Sequence, residues 1–260
     1  MDWMVSEYNR GRAEVDQAVF TGKSVECRGS LGRREATARG LTVCVREWAA
    51  RKGVPLQGKT FIVQGFGNVG ANVALLLVPL GMTCVGVGDH TGYRVNDEGF
   101  NVHKLAELAA RQNCIEGYTS GTAVSRDEFF GTKCNFVIPA ALEMQITAEK
   151  VGLMQCDAVF EAANGPVSAD AESVLLEKGV DVIPDVLCNS GGVIVSYFEW
   201  VQNMQHTYWS EHEVVNRMEE RMRATFERVV ACTNKHSCSF RKACYLLALT
   251  RLQHNAVLTG

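Results

Sequence analysis

The stretch that most restricts the fold is residues 61–70, FIVQGFGNVG, where an apolar run breaks into Gly65, Gly67 and Gly70 in the spacing G-x-G-x-x-G. Residues 59–64 predict a buried strand, and VGANVALLLVPLG beyond the turn predicts a helix that is apolar nearly all round and therefore well buried. Pro79 must end or kink its last turn. A strand that delivers the chain to a glycine turn, with a helix leaving it, is the arrangement that holds a dinucleotide. Gly65 permits the tight turn, Gly67 lets the backbone approach a pyrophosphate, and Gly70 lets helix pack on strand. Unpaired N–H groups and the helix dipole then favour the anion. Residues 83–88 predict a second strand, closed by Asp89, about 20 residues past the turn, where an acid would meet the adenine ribose. A glycine corner with only a structural role is the alternative, and this strand–turn–helix context weighs against it. The turn by itself names no reaction.

The surrounding pattern repeats strand and helix. Residues 34–52 read as a helix with Leu41, Val45 and Trp48 on one face and Gly53 as its stop. NVHKLAELAARQN is helical, and NFVIPAA, DAVFEAA and VDVIPD read as three more buried strands. The alternation predicts an α/β fold: a doubly wound, Rossmann-type parallel sheet covered on both faces. Ser210 and Glu213 have capping-box spacing, and Val214, Met218, Met222, Phe226 and Val229 make a helical stripe that reads as core. A final helix is expected from Phe240 to Gln253. The expected organisation is a single dinucleotide-binding domain over 1–260, with a helix and hinge over 1–33, the core over 34–200 and C-terminal helices over 201–260.

Charge and cysteines exclude other classes. A net charge of -3 argues against nucleic acid as a partner. No run of about 18 apolar residues is present to span a membrane, and MDWMVSEYNRGR has no signal-peptide core. Ten cysteines without any C-x-x-C, several in apolar settings such as TCVGV, read as reduced thiols of an intracellular protein. Cys232, His236 and Cys238 supply three ligands at no familiar zinc spacing, so no metal site is expected.

Further motifs carry a resemblance. TGK at 21–23, GSLGRREATARG at 29–40, FGNVG, VIPAALEMQI, EAANGP, VIPDVLCNSGGVIVSYFEW and SFRKACYLLALTRL are similar, in order and spacing, to the C-terminal half of glutamate dehydrogenases, within the Glu/Leu/Phe/Val dehydrogenase family. The resemblance implies NAD, or NADP, as cofactor and oxidative deamination of L-glutamate to 2-oxoglutarate and ammonia. It implies cofactor contacts from Arg33, Thr37, the turn residues Gly65, Phe66, Gly67, Asn68, Val69 and Gly70, from Asp89 and His90, and from Ala163, Asn164 and Asn189. Thr37 and the asparagines suit a nicotinamide carboxamide, because an asparagine amide both donates and accepts. Ser196, with Val193 in the same pocket, resembles the serine that binds the substrate's side-chain carboxylate, which favours glutamate over apolar amino acids. NAD is expected over NADP because Asp89 would repel a 2′-phosphate, although His90 and Arg94 stand close by.

Departures from the family pattern are Ala38 for a glycine, Met144 for an asparagine, Pro79 in its helix, and Phe160 and Ala162 around EAANGP. A ring at 160 is expected to narrow the cofactor crevice. The family's catalytic lysine and aspartate lie in GGAKGG-like and PAPD-like segments that these 260 residues do not contain. The residues as they stand are therefore expected to bind the dinucleotide without turning over glutamate; a non-catalytic dinucleotide-binding partner is the alternative. The resemblance also implies a hexamer for the full-length family, an apolar face around Trp3 and the last helix, and a cytoplasmic or mitochondrial-matrix location.

Overall fold

The computed structural model describes residues 1–259. In chain order the elements are α1 (Asp2–Asn9), α2 (Ala36–Lys52), β1 (Thr60–Gln64), α3 (Asn68–Leu77), β2 (Thr83–Asp89), β3 (Gly92–Val95) and α4 (Val102–Gln112). There follow β4 (Thr122–Val124), α5 (Arg126–Gly131), β5 (Phe136–Pro139), α6 (Ala148–Val151), β6 (Ala158–Phe160) and α7 (Ala169–Glu177). The chain ends with β7 (Asp181–Ile183), α8 (Asp185–Cys188), α9 (Gly191–Gln205), α10 (Glu211–His236) and α11 (Phe240–Thr259).

The strands form one sheet in the order β4-β3-β2-β1-β5-β6-β7. The five strands expected from their apolar runs are parallel neighbours. The sheet as a whole is mixed, which corrects the all-parallel expectation: β3 and β4 add to its edge antiparallel. Only two residues, His90 and Thr91, separate β2 from β3, and so short a connection can only make a hairpin.

Strand residues alternate between the two faces, as the pleat requires. Phe61, Val63, Phe136, Ile138, Ala158 and Phe160 join the larger core with α2, α3, α4, α9, α10 and α11. Ile62, Val137 and Val159 join the opposite core with Phe129 and Phe130 of α5, Val151 of α6 and Leu175 of α7. The connection leaving β1 thus crosses one face through α3, while the one leaving β5 crosses the other through α6. The crevice between the ends of these adjacent strands is the topological switch point where ligands bind in open α/β sheets.

Local readings fare unequally. α3 stops at Leu77, and a 3-10 turn through Pro79 leads to Gly81 at φ 85°, as the proline requires. The methionine stripe of α10 is buried. Ser210 accepts from the Glu213 N–H (3.2 Å), but the Glu213 carboxylate turns to Arg217 (2.7 Å), so the box is only half made. The reciprocal box lies elsewhere, between Ser125 and Glu128. Phe160 does not narrow the crevice: its ring is wholly buried, edge-on to Trp48 and Phe136 at 6.0 and 5.4 Å. The last helix runs on to Thr259, and Trp3, Tyr245, Leu249 and Leu252 are exposed as expected.

Candidate active site

The glycines at the switch point have separate physical roles. Gly65 adopts φ +92°, and a Cβ there would lie 2.5 Å from the Ala141 backbone nitrogen. A Cβ on Gly70 would lie 2.0 Å from the Gly65 carbonyl oxygen. Gly67, in contrast, has extended backbone, and a Cβ on it would meet nothing within 4 Å. Two glycines are therefore needed by the fold, and the third leaves open space at the start of α3, which has no side-chain cap.

Beside the turn is a cleft of 680 Å³. Arg33 and Thr37 from the start of α2, Val69 from α3, and Gly192 and Val193 from α9 form part of its wall. The loop after β5 contributes Ala140 to Glu143 and Gln145, and the loop after β6 contributes Ala162, Ala163 and Asn164, with Asn189 beside them. Asn189 Nδ2 donates to Asn164 Oδ1 at 2.7 Å, so the two asparagines act as one unit.

The wall made by α2 and α9 depends on glycine. A Cβ on Gly191 would lie 2.1 Å from the Ala36 carbonyl oxygen, and one on Gly192 would lie 2.6 Å from Thr37 Oγ1. Gly191 of CNSGG thus lets the two helices approach backbone to backbone, and Gly192 makes room for the Thr37 and Arg33 side chains. Arg33 Nε donates to Ser196 Oγ at 3.0 Å across the same junction. The segment leading to Arg33 is anchored on α9: the wholly buried Lys23 Nζ meets Glu199 Oε1 at 2.6 Å, and Gly22 N donates to Oε2 at 2.8 Å.

Seven expected contacts converge on the cleft: Arg33, Thr37, Val69, Ala163, Asn164, Asn189 and Val193. The others lie around it. Phe66 turns its ring into the core. Asn68 faces a neighbouring groove and donates to the Arg34 carbonyl at 3.0 Å. Ser196 lies in an adjoining hollow with Tyr197 and Trp200, and Val193 borders both spaces. Asp89 stands at the end of β2 as expected, but the fold uses its carboxylate. Oδ1 accepts from Thr91 N and Oγ1 (2.7 and 2.5 Å), and Oδ2 from Ile115 N (2.7 Å). Oδ2 keeps one further lone pair. His90 is exposed at the hairpin tip, and Arg94 donates to the carbonyls of Thr119, Ser120 and Gly121.

The residue reading missed Gln145 and Glu161. Gln145 Oε1 accepts from Gln64 Nε2 (2.9 Å) and Arg126 Nη2 (3.0 Å), which holds the loop after β5. Glu161, two positions before Ala163, is wholly buried; burial pushes its carboxyl up to about 7, against the pull of Arg241. Burial also pushes the Cys84 thiol up to about 12, and all ten cysteines are free. Among the described residues no helix is long and apolar enough to cross a membrane.

Comparison with known proteins agrees with this arrangement. The family model for Glutamate/Leucine/Phenylalanine/Valine dehydrogenase matches residues 29–260. The catabolic NAD-specific glutamate dehydrogenase of Bacillus subtilis is 37% identical over 251 residues, covering 96% of this chain and 59% of that protein. The glutamate dehydrogenase of Thermotoga maritima is 37% identical over 255 residues, covering 98% and 61%. The crystal structure of the hetero-hexameric glutamate dehydrogenase of Thermus thermophilus superposes with a TM-score of 0.93 at 32% identity, over 99% of this chain and 61% of that one. The chain thus spans about 60% of the length of these relatives. With the family model covering residues 29–260 and the fold matching over nearly its whole length, the chain belongs to the Glu/Leu/Phe/Val dehydrogenase family.

Proposed function

We propose that this chain is the dinucleotide-binding domain of an NAD-dependent enzyme that oxidatively deaminates L-glutamate to 2-oxoglutarate and ammonia. The observation that carries the reading is the cleft at the switch point that gathers Thr37, Val69 and the Asn164–Asn189 pair, with the open Gly67 turn in the groove on the other side of the helix start that carries Val69. These residues fit a dinucleotide. The space over Gly67 and the start of α3 suits a pyrophosphate, and the paired amides suit a carboxamide. When bound, NAD supplies the hydride acceptor. Thr37, Asn164 and Asn189 orient the nicotinamide end, and Asp89 accepts from the adenine ribose while repelling a 2′-phosphate. Ser196, already bonded to Arg33, holds the substrate's side-chain carboxylate, with Val193 between it and the cofactor cleft. The NAD-specific names of the Bacillus subtilis and Clostridioides difficile relatives support the choice of cofactor. The hexameric Thermus thermophilus relative supports assembly into an oligomer.

The test is a fluorescence titration of the chain with NADH and NADPH. NADH should bind more tightly in the parent, and Asp89→Ala should narrow the difference. Tighter NADPH binding by the parent overturns the cofactor assignment, and no binding of either overturns the domain's role. In an enzyme that joins this chain to a relative's remaining segment, Ser196→Ala should lower glutamate use more than use of an apolar amino acid. One lost hydrogen bond to a charged group is worth about 1.5–3 kcal/mol. Equal losses for both substrates overturn the role of Ser196.

A further inference from the structure

Behind the asparagine pair, three carboxylates converge on one guanidinium. Arg241 of α11 donates through Nη2 to both oxygens of Glu161 (2.7 and 2.8 Å), through Nε to Glu172 of α7, and through Nη1 to Asp185 Oδ1 (3.0 Å). Glu161 is fully buried, and the Glu172 and Asp185 side chains are only 10% and 14% exposed. Anchoring a helix to a sheet needs one such pair. Gathering three acids at this depth is electrostatically costly and calls for a reason beyond anchoring.

Asp185 connects this cluster to the cleft. Its Oδ2 accepts from the Gly165 N–H at 2.8 Å, and Gly165, at φ +53°, directly follows Asn164. Its backbone carbonyl accepts from the Asn189 N–H at 2.9 Å, across the single turn of α8. Its own N–H donates to Glu161 Oε2 at 2.7 Å. Each asparagine is therefore one short link from Asp185: Asn164 through the next peptide, Asn189 through one helical turn. Arg241 and Glu161 hold Asp185 from behind.

We propose that Arg241 and Asp185 are positioning residues for the nicotinamide end of the site, fixing the spacing and orientation of Asn164 and Asn189 from the far side of the loop. The inference rests on the reading above that these two asparagines face the nicotinamide. It also gives α11 a part in cofactor recognition, although α11 lines no part of the cleft.

A ligand pair separates positioning from simple stability. NADH carries the nicotinamide, and ADP-ribose keeps the adenine, riboses and pyrophosphate without it. Asp185→Asn keeps one acceptor and loses the second; Arg241→Lys keeps the charge and loses the three-way fork. Both variants should bind NADH about tenfold more weakly and ADP-ribose within about twofold of the parent, with urea unfolding used to select temperatures at which each is folded. Equal weakening for both ligands, or none for either, overturns the proposal. Should Arg241→Lys fail to fold, Asp185→Asn decides alone. Asn164→Ala and Asn189→Ala test the underlying reading separately. If these weaken NADH no more than ADP-ribose, the asparagine assignment fails; if they are selective and Asp185→Asn is not, only the positioning role fails.

Discussion

Gly67→Ala and Gly70→Ala should separate binding from folding within a single turn. A Cβ at position 70 would stand 2.0 Å from the Gly65 oxygen and 2.9 Å from Val63 Cγ1. An ordinary carbon–oxygen contact is about 3.3 Å or more, so α3 must retreat from β1 by roughly 1 Å. Overpacking of this kind costs about 1–3 kcal/mol, and the entropy an alanine removes from the unfolded chain returns only about 0.4–1 kcal/mol. Gly70→Ala should therefore lose about 1–2 kcal/mol. A Cβ at position 67 meets nothing within 4 Å, and the extended backbone there suits alanine, so the same entropy term should leave the variant about 0.4–1 kcal/mol more stable. Its methyl group would occupy the space a pyrophosphate needs, and NADH affinity should fall at least about tenfold. Urea unfolding measures the first quantity and NADH fluorescence the second. A Gly67→Ala protein that binds NADH as tightly as the parent would refute the close approach of backbone and phosphate. A Gly70→Ala protein as stable as the parent would refute the packing argument.

Met144 stands at φ +54°, exposed, where the family resemblance expects an asparagine. The left-handed region costs most L residues about 1–2 kcal/mol but suits asparagine, so Met144→Asn should raise stability by roughly 0.5–1 kcal/mol in urea, and an unchanged midpoint counts against the strain. Lys23→Met would leave the Glu199 carboxylate buried without its cation and should cost about 3–5 kcal/mol, much of it restored in the Lys23→Met/Glu199→Leu double variant; a loss below about 1 kcal/mol refutes the pairing. Glu161, pushed from its ordinary 4.5 to about 7, holds more protons folded than unfolded between those values. Stability should therefore fall as pH rises through that window, by about 3 kcal/mol from this group, and the slope should flatten in Glu161→Gln; equal slopes refute it.

What the sequence made legible follows from burial. β1, β2, β5, β6 and β7 are mostly buried and read as apolar runs. β3 and β4 are short strands whose residues are half-buried or exposed, with Arg94 of β3 tied to loop carbonyls, so no run marked them. Phe160 was misplaced because a motif assigned it to the crevice, whereas strand parity puts it on the same face as Ala158, toward the core. The cleft residues of α2, the asparagine loops and α9 were legible through short motifs, since contacts there follow local order. Asp89 and Ser196 carry the right chemistry for their proposed roles, yet part of the Asp89 carboxylate is taken by Ile115 and Ser196 is bonded to Arg33, both far away in sequence. Arg241 gave no local sign, because its meaning comes from three acids distant along the chain.

The backbone contact between α2 and α9 also bears on how the cleft moves. With the Gly191 backbone against that of Ala36, the Thr37 and Arg33 side chains against bare Gly192, and Arg33 bonded to Ser196, these helices have little room to slide. Arg33, Thr37 and Val193 are therefore expected to move together. Breathing that admits or releases a ligand is then expected of the opposite wall, the loops after β5 and β6, which the left-handed residues Met144 and Gly165 join through a 2.8 Å backbone hydrogen bond.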